Sequence, residues 1–271
     1  MRFTLVALAL VVAVPQTPAP QQAAPIAIGD TFTLASTTLS ETRRINVYLP
    51  AGYTATPETR LPVLYMPDGG MAEDFLHIAG LVQVLTGNGT MRPFILVGIE
   101  NTVRRRDLSG PTENAEDKKM APRVGESQAF RTFIRRDLMP AIRARYRTTG
   151  ETAIVGESLA GLFVVETFLK EPDLFNTCIA FDPSLWWNDG GLVKTAAEDL
   201  KASRDRRRSI YMATSSQGDV DGTVSRLAAI LTTDGGPQLT SKYVTYPAEL
   251  HSTIFHPAAI VAFRALFPPP K

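Results

Sequence analysis

Apolar and polar positions change rhythm several times along this chain, and each change marks an element. Residues 31–39 and 44–49 alternate apolar and polar side chains, the period of paired antiparallel strands. Short apolar runs at 61–66 and 94–99 read as buried strands. Residues 101–125 are polar, contain Gly and Pro and carry both charges, which predicts a long loop. Phe130, Phe133, Ile134, Leu138 and Ile142 recur at helical spacing, with Pro140 expected to kink or restart that helix. Strand and helix then alternate: 153–155 and 159–170, 176–181 and about 192–202, 209–214 and 222–232, 242–246 and 257–266. Such alternation predicts an α/β fold with a mostly parallel sheet covered by helices on both faces. There are no repeats.

The first residues break this pattern. Arg2 precedes an almost wholly apolar run from Phe3 to Val14, then small and Pro/Gln-rich residues through Pro25. That is the order of a secretory signal peptide, too short for a comfortable permanent anchor. We therefore expect residues 1–24 to be a leader with a short Pro/Gln-rich segment and 25–271 to form one domain. The expected location is periplasmic or secreted, with no stable membrane anchor. A net charge of +1 gives no general field for nucleic acid. A lone Cys178 excludes an internal disulfide, and one cysteine with three dispersed histidines does not make the usual metal spacings, so no metal or other cofactor is expected.

Candidate chemistry concentrates at Gly156-Glu157-Ser158-Leu159-Ala160-Gly161. An apolar strand runs into it and a helix runs out, so Ser158 sits on a sharp turn with its hydroxyl clear of the backbone. The dipole and free N–H groups of the following helix suit an oxyanion. A serine nucleophile needs a base, and histidine titrates in the useful range. Of the three histidines, His251 follows the last predicted strand, at the edge of an α/β sheet where sites gather. His77 reads as a packing or water-facing residue and His256 as structural. The acid is expected in Gly218-Asp219-Val220-Asp221-Gly222, with Asp221 the candidate and Asp219 the alternative; either would otherwise cap the next helix. Leu159 is the first expected oxyanion donor, and Gly69 and Gly70, on the turn after the third strand, supply the second. Trp186 and Trp187 either line a substrate pocket or pack their loop. Arg106 either pairs with Asp107 or Glu100 or meets an anionic substrate.

With these residues in hand, the chain resembles the Putative esterase family of α/β-hydrolases, which includes siderophore, feruloyl, acetyl-xylan and esterase D-like enzymes. The resemblance is carried by Val63-Leu64-Tyr65-Met66-Pro67-Asp68-Gly69, Val97-Gly98-Ile99-Glu100-Asn101-Thr102 with Arg106-Asp107-Leu108, the Ser158 turn, Asp182-Pro183-Ser184-Leu185-Trp186-Trp187 and His251-Ser252-Thr253. It implies an α/β-hydrolase fold, Ser158 as nucleophile and His251 as base. Two residues depart from the pattern: Ala160 stands where glycine is expected and Asp182 where serine is. The expected activity is serine ester hydrolysis of a small molecule, with a siderophore or an aryl- or acetyl-sugar ester as candidate substrate. An acyltransferase using the same acyl-enzyme and a non-catalytic binding module are the alternatives.

Overall fold

One strand, second from the edge, runs against the rest of the sheet. In the computed structural model, which describes residue 1 and residues 23–270, β1 (Asp30–Ser36) pairs antiparallel with β2 (Glu41–Tyr48), and β2 pairs antiparallel with β4 (Ile95–Ile99). From there every pairing is parallel, through β3 (Leu61–Pro67), β5 (Thr148–Glu157), β6 (Thr177–Phe181), β7 (Arg208–Ser215) and β8 (Leu239–Tyr246). The spatial order is β1-β2-β4-β3-β5-β6-β7-β8. The leader-like run lies outside the described residues. Among the described residues no helix is long and apolar enough to cross a membrane.

Alternation along each central strand divides the core in two. Tyr65, Ile154, Cys178, Ala180, Ile210 and Met212 join one buried cluster with α6 (Leu159–Lys170), α7 (Trp187–Lys201) and α8 (Thr223–Asp234). Leu64, Ala153, Val155, Ile179, Phe181, Tyr211 and Ala213 face the opposite cluster, covered by α1 (Phe75–Gly87) and α9 (Phe255–Leu266). Helices on both faces are what continuous apolar strands require.

Pro140 neither ends nor restarts the helix. After α4 (Ser127–Phe133) the backbone stays right-handed helical and widens into a π-helical turn, Ile134–Leu138, that leads directly into α5 (Met139–Arg145), so the residue without an N–H follows a local change in the hydrogen-bond ladder. The stretch 101–125 is not all loop. It holds the short helices α2 (Arg104–Leu108) and α3 (Ala115–Lys119), the latter capped by the Asn114 side chain on Glu116 and Asp117 N–H.

Candidate active site

Three neighbouring strands end the same way. Directly after β3, β5 and β6 stand Asp68, Ser158 and Asp182, with φ of 56°, 59° and 41°. Left-handed backbone at a residue with a side chain costs about 1–3 kcal/mol, and such strain collects where geometry is used. Ser158 (ψ −120°) is the elbow between β5 and α6. Its N–H donates to Phe181 O at 3.0 Å, tying the elbow to the end of β6. Its carbonyl accepts from Leu162 N at 2.9 Å and Ser184 N at 3.1 Å. The turn is tight enough that a Cβ on Gly156 would lie 2.7–2.8 Å from atoms of Ala160. Ala160 is thus accommodated because residue 156 is glycine.

His251 lies in the turn between β8 and α9, and its N–H donates to Gln217 Oε1 at 3.0 Å. Its Nδ1 lies 3.0 Å from Asp182 Oδ2. Asp182 also accepts from Ser215 N and Ser215 Oγ, each at 2.6 Å. Burial pulls the Asp182 carboxyl up, but the hydrogen bonds from His251 and Ser215 outweigh it and hold it below its ordinary value. His251 moves the other way: its bond to Asp182 raises it above the usual imidazole value, against partial burial and the charge of Arg104. Among the described residues Ser158 Oγ and His251 are not within hydrogen-bond distance of each other; the ring's hydrogen bond is the one to Asp182.

The structure therefore corrects the expected acid. Asp182, which reads from sequence as a departure, is the carboxylate on His251. Asp221 instead accepts from Thr223 N at 3.1 Å and Thr223 Oγ1 at 2.7 Å, and Asp219 accepts from Val224 N at 2.7 Å and Ser225 N at 3.1 Å. Both satisfy amides at the start of α8, where the dipole favours anions. The glycine donors also need correction. Gly69 N–H donates to Ile99 O at 3.0 Å, and Gly70 N–H to Glu73 Oε2 at 2.7 Å, so neither is free. Among the described residues no acceptor lies on the N–H of Leu159 or of Met71, so both are unengaged. Gly69 is required for another reason, since a Cβ there would run into Gly98 and Ile99 backbone.

The turn after β3 is braced from outside. Arg104 forks onto Asp68, Nε to Oδ1 at 2.6 Å and Nη2 to Oδ2 at 2.7 Å. Asn101 Nδ2 donates to Asp68 Oδ1 at 2.5 Å and Glu73 Oε1 at 2.9 Å. Arg106 does not face substrate. It is buried, 2.6 Å from Asp107 Oδ1 and 2.8 Å from Glu41 Oε1, and Arg43 shares the Asp107 carboxylate. Trp187 is buried with its Nε1 donating to Gly110 O at 2.8 Å, so it packs the loop; it also walls one side of a cavity of about 560 Å³ beside α6. Trp186, 43% exposed, remains open to a ligand. His77 and His256 bond to each other at 2.8 Å on α1 and α9. Among the described residues no group of three or more acidic, His or Cys side chains is placed to hold a metal ion.

A mostly parallel sheet with an elbow serine after β5 and a His–Asp pair joining the turn after β8 to the end of β6 defines an α/β-hydrolase. Residues 36–233 match the model of the family described as Putative esterase, and the chain belongs to that family. It is 31% identical to ferri-bacillibactin esterase BesA of Bacillus subtilis over 172 residues, 57% of this chain and 58% of that protein. It is 28% identical to the siderophore triacetylfusarinine C esterase of Aspergillus fumigatus over 165 residues, 56% and 55% of the two chains. The chain spans little more than half the length of these curated relatives. An IroE-like serine hydrolase from Shewanella oneidensis superposes with a TM-score of 0.79 at 28% identity, over 88% of this chain and 80% of that one.

Proposed function

We propose that this protein is an exported serine esterase that hydrolyses a small-molecule carboxylic ester through an acyl-enzyme on Ser158. His251 takes the Ser158 proton as Oγ attacks the carbonyl carbon. The same proton goes to the alcohol oxygen as the ester C–O bond breaks. Water then repeats the sequence and releases the acid. Asp182 holds the imidazole in the required tautomer and stabilises its cation. Leu159 and Met71 N–H groups offer the donors for the tetrahedral oxyanion. The observation that carries the reading is the 3.0 Å contact between His251 Nδ1 and Asp182, one strand end away from a strained elbow serine. The relatives' names place siderophore esters among the substrates to try first. Export rests on the leader-like order of residues 1–24.

The test is covalent labelling by a fluorophosphonate together with turnover of a neutral acetate ester. Wild type should label and turn over. Ser158→Ala should lose both, and His251→Ala should lose nearly as much, because nucleophile and base act as a unit. Turnover above about a tenth of wild type in Ser158→Ala, where loss of a nucleophile costs several decades, would overturn the assignment.

A further inference from the structure

Beside the turn after β3 lies a cavity of about 410 Å³, within the range of small-molecule pockets. Ile26, Ile28, Met71 and Phe75 form its apolar wall. Phe75 is buried, but Ile26, Ile28 and Met71 are exposed. Large apolar side chains left open around one hollow mark a place where an apolar group is welcome. The wall is held in position. A Cβ on Gly29 would run into the Val47 carbonyl, so only glycine lets the chain before β1 lie this close to β2. Asn46, on β2, lines the cavity and its Nδ2 donates to Gly69 O at 2.8 Å, which joins the hollow to the turn after β3.

The charged residues of the wall are already partnered. Arg44 and Glu100 stand 3.8 Å apart, and Asp30 accepts from Tyr146 OH at 3.0 Å. What the hollow offers is apolar contact. Its place relative to Ser158 decides which part of an ester reaches it. β3 pairs with β5 in a register that sets Tyr65 beside Ile154, so the turn from Asp68 lies level with Glu157 and Ser158. The cavity is on the β1-β2-β4-β3 side of β5, and His251 with Asp182 is on the β6-β8 side. The alcohol oxygen must face the imidazole that protonates it. The acyl group then extends the other way, past Met71 and into the cavity.

We propose that this cavity is the acyl pocket of the esterase, receiving a neutral apolar acyl chain, with Ile26 and Ile28 of the segment before β1 as specificity-determining residues. The inference rests on the esterase reading above and narrows its substrate.

Two ester series test it. In p-nitrophenyl acetate, butyrate, hexanoate and octanoate only the acid lengthens; in methyl, propyl and hexyl acetate only the alcohol does. Each kcat/KM is divided by the hydroxide-catalysed rate of the same ester. It should rise about two- to fourfold per methylene along the acyl series until the cavity is full, the upper figure being complete burial of each methylene. Across the alcohol series it should change by less than about threefold, less than the burial of one methylene gives. Ile28→Asp should flatten the acyl series and spare p-nitrophenyl acetate, whose acyl group stops short of residue 28. Ala27→Trp, which adds bulk at a lining position, should cut octanoate and spare acetate. Alkanamides of the same lengths, titrated by ligand-observed NMR against Ser158→Ala protein, read the pocket without turnover. Their binding should tighten with length and lose that trend when Ile28→Asp is added. A flat acyl series in wild type, a preference that follows the alcohol, or an acyl preference surviving both Ile28→Asp and Ala27→Trp would overturn the proposal. Absence of turnover on every ester would instead defeat the esterase reading, and the amide titration would still decide the pocket.

Discussion

Replacing Asp182 with Asn keeps the shape of the group on His251 and removes its charge. The pair is 3.0 Å apart, where two unit charges interact by about 5.5 kcal/mol at an effective dielectric of about 20 and about 1.4 kcal/mol in bulk water. The His251 ring is 46% exposed while the Asp182 side chain is fully buried, so screening puts the stabilisation of the imidazolium at about 3 kcal/mol. At about 1.4 kcal/mol per decade that is about a hundredfold in kcat/KM. An amide N–H turned toward Nδ1 would also hold the wrong tautomer, which carries the loss toward about 10⁴. The pH profile gives an independent reading. Activity needs the neutral imidazole, and Asp182 raises the His251 pKa, so the acid limb lies above the ordinary histidine value in wild type and should move down in Asp182→Asn. Glu157 titrates in the same window, so the shift is best read in a Glu157→Gln background. The assay is the pH dependence of kcat/KM on a neutral ester. Asp182→Asn keeping more than about a tenth of wild-type activity with an unmoved acid limb would refute the reasoning.

Asp221→Asn should change turnover by less than about threefold and cost about 1 kcal/mol in urea unfolding, because it supports the start of α8 and not the imidazole. Arg104→Ala should lower kcat by about tenfold on neutral and anionic esters alike, with little salt dependence, since its work is to hold Asp68 and the turn after β3; a loss confined to anionic esters would show a direct substrate contact instead. Arg106→Ala should destabilise the fold by about 3 kcal/mol, seen as a lower Tm, and leave KM for an anionic ester unchanged in the folded enzyme. Gly156→Ala should cost about 1–3 kcal/mol by overpacking against Ala160, and adding Ala160→Gly should recover only part, because the helix carbonyl of residue 160 is also in the way; full recovery would place the clash on the methyl alone.

The elbow was legible because everything that makes it is local. An apolar strand, one small turn and an apolar helical stripe occupy a single window. His251 followed from position, at the end of the last parallel strand. Asp182 did not follow, because its partner is 69 residues away and no periodicity records a contact between two strand ends. The signal that existed was an aspartate directly after the apolar run of β6, where a polar side chain reaches the edge of the sheet. Asp221, and Asp219 as its alternative, suited the role of acid in the sequence because cap residues and catalytic acids are the same residue types in the same place after a strand. The donors at Gly69 and Gly70 failed for a similar reason. Glycine marks close backbone approach, and here the approach is to Gly98 and Ile99, while Glu73 takes the second N–H. The short helices α2 and α3 are five residues each, less than two turns, so no apolar stripe could form to announce them.

Cys178 sits in the middle of β6, between β5 and β7, with its thiol pushed up to about 12 by complete burial. Alkylation needs the thiolate and access to the reagent, and the native state denies both. A strand hydrogen-bonded on both sides is exposed only when the sheet comes apart, not by the fraying of a loop. The protein therefore carries its own clock for global opening. The rate at which a thiol reagent modifies the intact chain, compared with the unfolded one, measures how often the whole sheet parts, without a fluorophore, an added probe or denaturant.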